Sequence, residues 1–204
     1  MNLKAADRQR QILRAAAECF ARKGFHQTTM DDIAREAGIS AGLIYRHFAG
    51  KEDLIIALVK AYEDDQRARL DRARQQTDFT KAIEVFFAIE SDDNDSQIEA
   101  ILFVEVSAEA LRNPRIADVV QRDDAQTVRD LAQLIVQAQH KGQADPSLAP
   151  IETAELLIAL DQGSIMRFSL ASEYEDLDYP TLKKTFKTLY TRFLRLKPTT
   201  GEET

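Results

Sequence analysis

A single cysteine, Cys19, is too little for an internal disulfide framework or a multi-cysteine zinc site. Tryptophan is absent, and seven glycines and five prolines are few for 204 residues, which disfavours a turn-rich all-β fold. No apolar run approaches the roughly 20 residues that a membrane span needs, and Met1–Asp7 lacks the apolar stretch of a signal peptide. The expectation is a soluble, cytoplasmic protein with no membrane partner.

Catalytic signatures are missing as well. The chain has no H-E-x-x-H, no P-loop and no G-x-G-x-x-G. None of His26, His47 and His140 has a Glu three residues before it, as the di-iron motif of helical bundles requires. Asp92–Asp95 resembles the start of a calcium loop, but Gln97 stands at the glycine position and Phe103 at the closing Glu. No metal, cofactor or catalytic residue is expected, and the chain does not read as an enzyme.

What is present is helix. Residues 51–113 contain neither Gly nor Pro and are rich in Ala, Leu, Glu, Arg and Gln. The apolar residues Ile12, Leu13, Ala16, Cys19 and Phe20 recur at three- and four-residue steps before Arg22-Lys23-Gly24 supplies a stop. Thr29-x-x-Asp32 has capping-box spacing before a short helix with Ile33, Ala34 and Ala37, and Gly38 ends it. Ser40 can cap a third helix carrying Ile44 and Phe48, and a long helix follows Gly50. Further helices are expected over about 79–90, 96–112, 114–141, 150–172 and 179–197, with Asn113-Pro114 as a start signal. About nine helices with short connections make an all-α protein.

The net charge of −7 is unevenly spread. Residues 1–51 hold nine Lys/Arg against five Asp/Glu, net +4, whereas the remainder is net −11. A basic head on an acidic body fits an anion-binding module joined to a domain with another task.

Three helices with only Gly38-Ile39 between the second and third describe a helix-turn-helix. Ile39, Ile44 and Phe48 anchor the third helix. Its other face then carries Ser40, Ala41, Leu43, Arg46 and His47 to solvent, with Tyr45 at the boundary. Small residues at Ala41 and Gly42 let the helix sink into a major groove, while Tyr45, His47 and Lys51 are spaced to reach phosphates. Lys51 also falls in the first turn of the long helix, where the dipole favours an anion.

Phe20-Ala-Arg-Lys-Gly-Phe25, Thr28-Thr-Met-Asp-Asp-Ile-Ala34, Ala37-Gly-Ile-Ser40, Gly42, Tyr45-Arg-His-Phe48 and Lys51-Glu-Asp-Leu54 together resemble the TetR family of bacterial transcriptional regulators. The match covers residues 8–55 in order and without gaps, and Glu105–Pro114 resembles the family's sixth-helix region less specifically. The resemblance implies a three-helix DNA-binding domain at 1–52, a helical effector-binding and dimerisation domain at 53–197, and a flexible tail at 198–204. It implies a double-stranded operator as partner, contacted by Thr28, Thr29, Ser40, Ala41, Gly42, Leu43, Tyr45, Arg46, His47 and Lys51. Repression, relieved by a small-molecule effector, is the expected mode. Asp31 departs from the family pattern and cannot favour a phosphate. Gly50 replaces the usual Ser or Thr before the Lys, costing a few tenths of a kcal/mol in capping.

In the body, Glu105 interrupts an apolar stripe formed with Ile101, Leu102 and Ala108, which is expensive for an unpaired carboxylate. Asp161 and Gln162 interrupt another. With Tyr62, Phe86, Phe103 and Phe168 they are the candidate effector residues; the alternative for Glu105 is a structural bridge, with Arg167 as a partner. Leu182, Phe186, Leu189, Tyr190 and Phe193 form a stripe that, with Leu157, Leu160 and Ser164, is expected to build a four-helix homodimer interface. The competing class is a helical small-molecule carrier or adaptor that binds no specific DNA.

Overall fold

The computed structural model describes residues 3–88, 96–170 and 179–194. Among them are nine α-helices and no strand: α1 (Leu3–Gln27), α2 (Met30–Ala37), α3 (Ala41–Tyr45), α4 (Lys51–Arg74), α5 (Phe79–Phe86), α6 (Ser96–Ala110), α7 (Pro114–His140), α8 (Pro150–Leu170) and α9 (Tyr179–Phe193). The all-α reading holds. The tail at 198–204, the Asp92–Asp95 run and the side chain of Phe168 lie outside the described residues.

The chain packs as two compact units. Unit 1 comprises Met1–Glu63 with Asn94–Gln121, and unit 2 comprises Asp64–Asp93 with Arg122–Thr204. Unit 1 thus reaches beyond the head expected at 1–52. Leu102, Val106 and Ala110 of α6, and Ile116, Val119 and Val120 of α7, share one apolar core with Ile12, Phe20, Phe25, Ile44 and Leu54. Burial of a common core, not the end of the third helix, sets this boundary.

The start and stop residues act as their chemistry requires. Thr29 caps α2: its Oγ1 accepts from Asp32 N at 3.1 Å, and the Asp32 carboxylate accepts from Thr29 N at 3.1 Å. Gly38 closes α2 in the left-handed region, at φ 65° and ψ 32°. Ser40 caps α3 through Leu43 N, and Asn113 Oδ1 accepts from Arg115 N at the start of α7. At α4, where Gly50 offers no capping side chain, the Asp53 carboxylate accepts from Ala49 N at 3.0 Å.

Gly24 does more than stop a helix. Its φ of 75° and ψ of 162° break α1 in a region open essentially to glycine alone. At the break, Phe25 N–H donates to Glu105 Oε2 of α6 at 2.8 Å. The Thr28 hydroxyl lies 2.8 Å from Gly24 O and 3.1 Å from Cys19 O, tying the following turn back onto α1.

Unit 2 has a separate core, in which Leu70, Phe79, Ile83, Leu131, Ile135, Leu157, Phe186 and Tyr190 are buried. Phe86, Phe87, Phe186 and Tyr190 form a chain of edge-on rings with centroids 4.9, 5.4 and 5.7 Å apart. Glu84 of α5 is buried in this unit but pairs with Lys81 and with Lys187 of α9, which offsets its desolvation.

Gly24→Ala should cost about 1–3 kcal/mol in urea unfolding, because the backbone angles exclude a Cβ. Space does not set this cost, since an added Cβ would meet Glu105 Oε2 at an ordinary 3.5 Å. Gly42→Ala, with nothing within 4 Å of the added atom, should leave stability unchanged or raise it by up to about 1 kcal/mol. Equal losses at the two sites would contradict this.

Candidate nucleic-acid interface and effector residues

The face of α3 follows from what its other side buries. Ile44 is fully buried, and Phe48 is buried in the core to which α1, α2 and α4 contribute. That leaves Ser40, Gly42, Tyr45 and Arg46 exposed, with Ala41 and Leu43 half-buried. Tyr45 is 55% exposed, further out than the boundary position expected from the sequence. His47 is instead half-buried, with its ring 6.4 Å from that of Phe48. Among the described residues Arg46 has no ion-pair partner, so its guanidinium is available to an external acceptor.

The supporting helices are held by charge pairs. Arg22 pairs with Glu36 at 2.5 Å, and Lys23 with Asp32 at 2.8 Å. The Lys23 ammonium foremost, with the N–H and hydroxyl of Thr29, holds the Asp32 carboxyl well below the usual range. Exposed Thr29 remains near the surface, though its hydroxyl also donates to Asp32 Oδ2 at 2.8 Å.

Two predicted contacts are placed otherwise. Thr28 is 1% exposed, with its hydroxyl spent on the carbonyls of Cys19 and Gly24; it is a packing residue and cannot touch a phosphate. The Lys51 ammonium turns inward. It donates to Phe25 O at 2.6 Å and His26 O at 3.1 Å, and it sits 4.6 Å from the centroid of the Phe25 ring. Desolvation lowers the Lys51 pKa, and the charge of Glu109 opposes that shift.

The effector candidates fall in both units. Tyr62, Phe103 and Glu105 belong to unit 1; Phe86, Asp161 and Gln162 belong to unit 2. Glu105 has its partner in Phe25 N–H, so the structural role accounts for this carboxylate without an effector. Phe86 is buried in the aromatic chain and likewise packs the core. Asp161 keeps some accessible surface, yet protein dominates its surroundings. Desolvation raises its carboxyl pKa to about 7 against the opposing pull of Arg69 and Lys183. An open depression of about 400 Å³ between α4 and α7 in unit 2 contains none of these residues. Its Arg74 is already matched by Asp130 at 3.0 Å.

The dimer stripe divides by burial. Leu157, Phe186 and Tyr190 are buried in the core of unit 2 and cannot form an interface. Leu160, Leu189 and Phe193 are exposed, as is Met166, whose side of α8 the sequence also points to, and they are joined by Leu156, which the sequence reading did not select. Ser164 and Leu182 are half-buried, and the Ser164 hydroxyl donates to Leu160 O. The four-residue steps 156–160 and 189–193 mark the outward faces, a signal masked because α8 and α9 are apolar on two sides.

Comparison with known proteins agrees with this architecture. Residues 12–58 match the family profile described as bacterial regulatory proteins, tetR family, and residues 78–181 match that of the BetI-type transcriptional repressor, C-terminal. The HTH-type transcriptional regulator UidR of Escherichia coli is 32% identical over 164 residues, 80% of this chain and 82% of that protein. The solved structure of Salmonella enterica GusR is 28% identical with a TM-score of 0.71, covering 93% of this chain and 96% of that one. A TetR-family regulator from Rhodococcus sp., 24% identical with a TM-score of 0.77, shares the fold over 93% of this chain and 99% of its own.

Asp161 also predicts a pH dependence. A carboxyl near pKa 7 when folded, against roughly 4 when unfolded, binds its proton more tightly in the folded chain. Its contribution therefore declines as pH rises from about 4 to 7 and is level above. Between pH 5 and 7.5, Asp161→Asn should lose roughly 2 kcal/mol less unfolding free energy than the native chain. Parallel pH profiles for the two proteins would refute the assignment.

Proposed function

The chain belongs to the TetR family of bacterial regulatory proteins, and from that premise we propose a cytoplasmic homodimeric repressor that a small-molecule effector releases from a palindromic operator. The observation that carries the reading is the third helix: one face is buried in the head, and the other exposes Tyr45 and Arg46. DNA binding and regulation are common to the family; the residue assignments are our own.

In this reading α3 enters the major groove along Ala41 and Gly42, whose small side chains let the backbone approach. Tyr45, Ser40, Thr29 and His47 position the head on phosphates, while Leu43 meets thymine methyls. Arg46 is the long cationic donor of the face and takes a guanine edge. Few other direct hydrogen bonds are available, so sequence-dependent DNA shape supplies the remaining discrimination.

A single head covers one half-site. The exposed apolar residues Leu156, Leu160, Leu189 and Phe193 on α8 and α9 form the proposed contact between two copies. Two copies set the half-site spacing near one turn of DNA or a multiple.

The effector acts by binding better to the state with lower operator affinity, and its leverage is limited to that difference. Asp161 and Gln162 remain the candidates in unit 2, and Tyr62 and Phe103 those in unit 1. Solved proteins of the same fold include one in complex with choline and one with stearoyl-CoA, at 20% and 19% identity. They support a small-molecule effector in general and assign none here.

Arg46→Ala should weaken cognate operator binding by about 1–3 kcal/mol and relax preference at one base pair. Equal loss on cognate and random DNA in gel-shift titrations would make Arg46 a positioning residue. Leu160→Glu combined with Phe193→Glu should halve the mass seen by light scattering and abolish two-site operator binding. A native chain that is monomeric at micromolar concentration would contradict the dimer.

A further inference from the structure

Three elements of unit 1 meet at Phe25. Its N–H is held by Glu105 of α6, its carbonyl and ring by Lys51 of α4, and its ring is buried in the core. Lys51 also caps His26 O, so two of its three ammonium donors close the last turn of α1. A lysine so engaged directs its charge to the end of α1.

An ammonium drawn partly out of water needs a counter-charge, since carbonyl dipoles and a ring face only partly replace hydration. Glu109 supplies it. The residue is 7% exposed, and its Oε2 lies 3.2 Å from His26 Nε2 but has no hydrogen-bond partner among the described residues. Its charge acts on Lys51. Glu109 stands one turn after Glu105, so these two carboxylates of α6 lie on the same face, toward the break in α1.

We infer that Glu109 is a positioning residue for DNA binding: through Lys51 and His26 it holds the end of α1 against the start of α4, and Lys51 serves this junction rather than a phosphate. Within unit 1 the first turn of α4 is tied from a second side as well. Arg115 of α7 reaches Glu52 at 2.9 Å and Asp53 at 3.2 Å. Lys51 and its neighbours therefore fix where α4 begins, and with it the turn from Phe48 to Gly50 that carries α3.

The inference rests on operator binding by the native chain, and a double-mutant cycle tests it. Lys51→Met, Glu109→Gln and the double variant are compared in operator titrations at several salt concentrations and in urea unfolding without DNA. Each single change should weaken operator and random DNA alike by roughly tenfold, a coupling of about 1.4 kcal/mol, with the salt slope unchanged. The double variant should be no worse than the worse single one, and Glu109→Asp and Lys51→Arg should recover most of the loss. The same non-additivity should appear in unfolding. The inference is overturned if Lys51→Met lowers the salt slope by about one per half-site while Glu109→Gln binds like the native chain, or if the two effects simply add. A native chain that shifts no DNA fails the functional reading instead, and the unfolding cycle then decides the Lys51–Glu109 coupling alone. Should Glu109→Gln not fold, Lys51→Met and Lys51→Arg still separate a lost phosphate contact from a lost junction by their salt slopes.

Discussion

The amide of Phe25 is the point on which unit 1 depends. Gly24 turns the backbone out of the helix, and the freed N–H must find an acceptor inside the protein or incur the cost of a buried unpaired donor. Glu105 provides it from α6 at 2.8 Å. A charge-assisted bond of this kind is worth about 1.5–3 kcal/mol, more than an exposed ion pair contributes. It binds a helix remote in sequence to the break in α1, and Leu102, Val106 and Ala110 follow it into the head's core. The compact unit that holds α1 to α3 is consequently larger than a three-helix module.

Much of this was legible in the sequence because local chemistry was consistent. The capping residues Thr29, Ser40 and Asn113, the left-handed stop at Gly38 and the 3.6-residue spacing of Ile12, Ala16, Cys19 and Phe20 each point to the element that forms. Arg46 was readable on a free face because Ile44 and Phe48 account for the buried one, whereas Tyr45 lies further out than its spacing indicated.

What escaped was tertiary. Burial of Thr28 depends on the turn after Gly24 folding back over Cys19, which no local pattern encodes. Lys51 sits at a helix start, where spacing favours a phosphate, and only the nearby carbonyls of Phe25 and His26 reveal its other use. Glu105 was visible as a misplaced carboxylate, but its partner is a backbone amide 80 residues earlier. On α8 and α9, apolar residues line both the core and the outer face, so the period alone could not separate Leu157 from Leu160 or Tyr190 from Phe193.

The packing makes α6 part of the same compact unit as α1 to α3. Native-state hydrogen exchange of the effector-free, DNA-free chain measures this most directly. The amides of α6 over 100–110 should open with the same free energy and denaturant dependence as those of α1 over 12–23. Exchange of α6 by a separate, lower-energy opening, with α1 to α3 still protected, would contradict it.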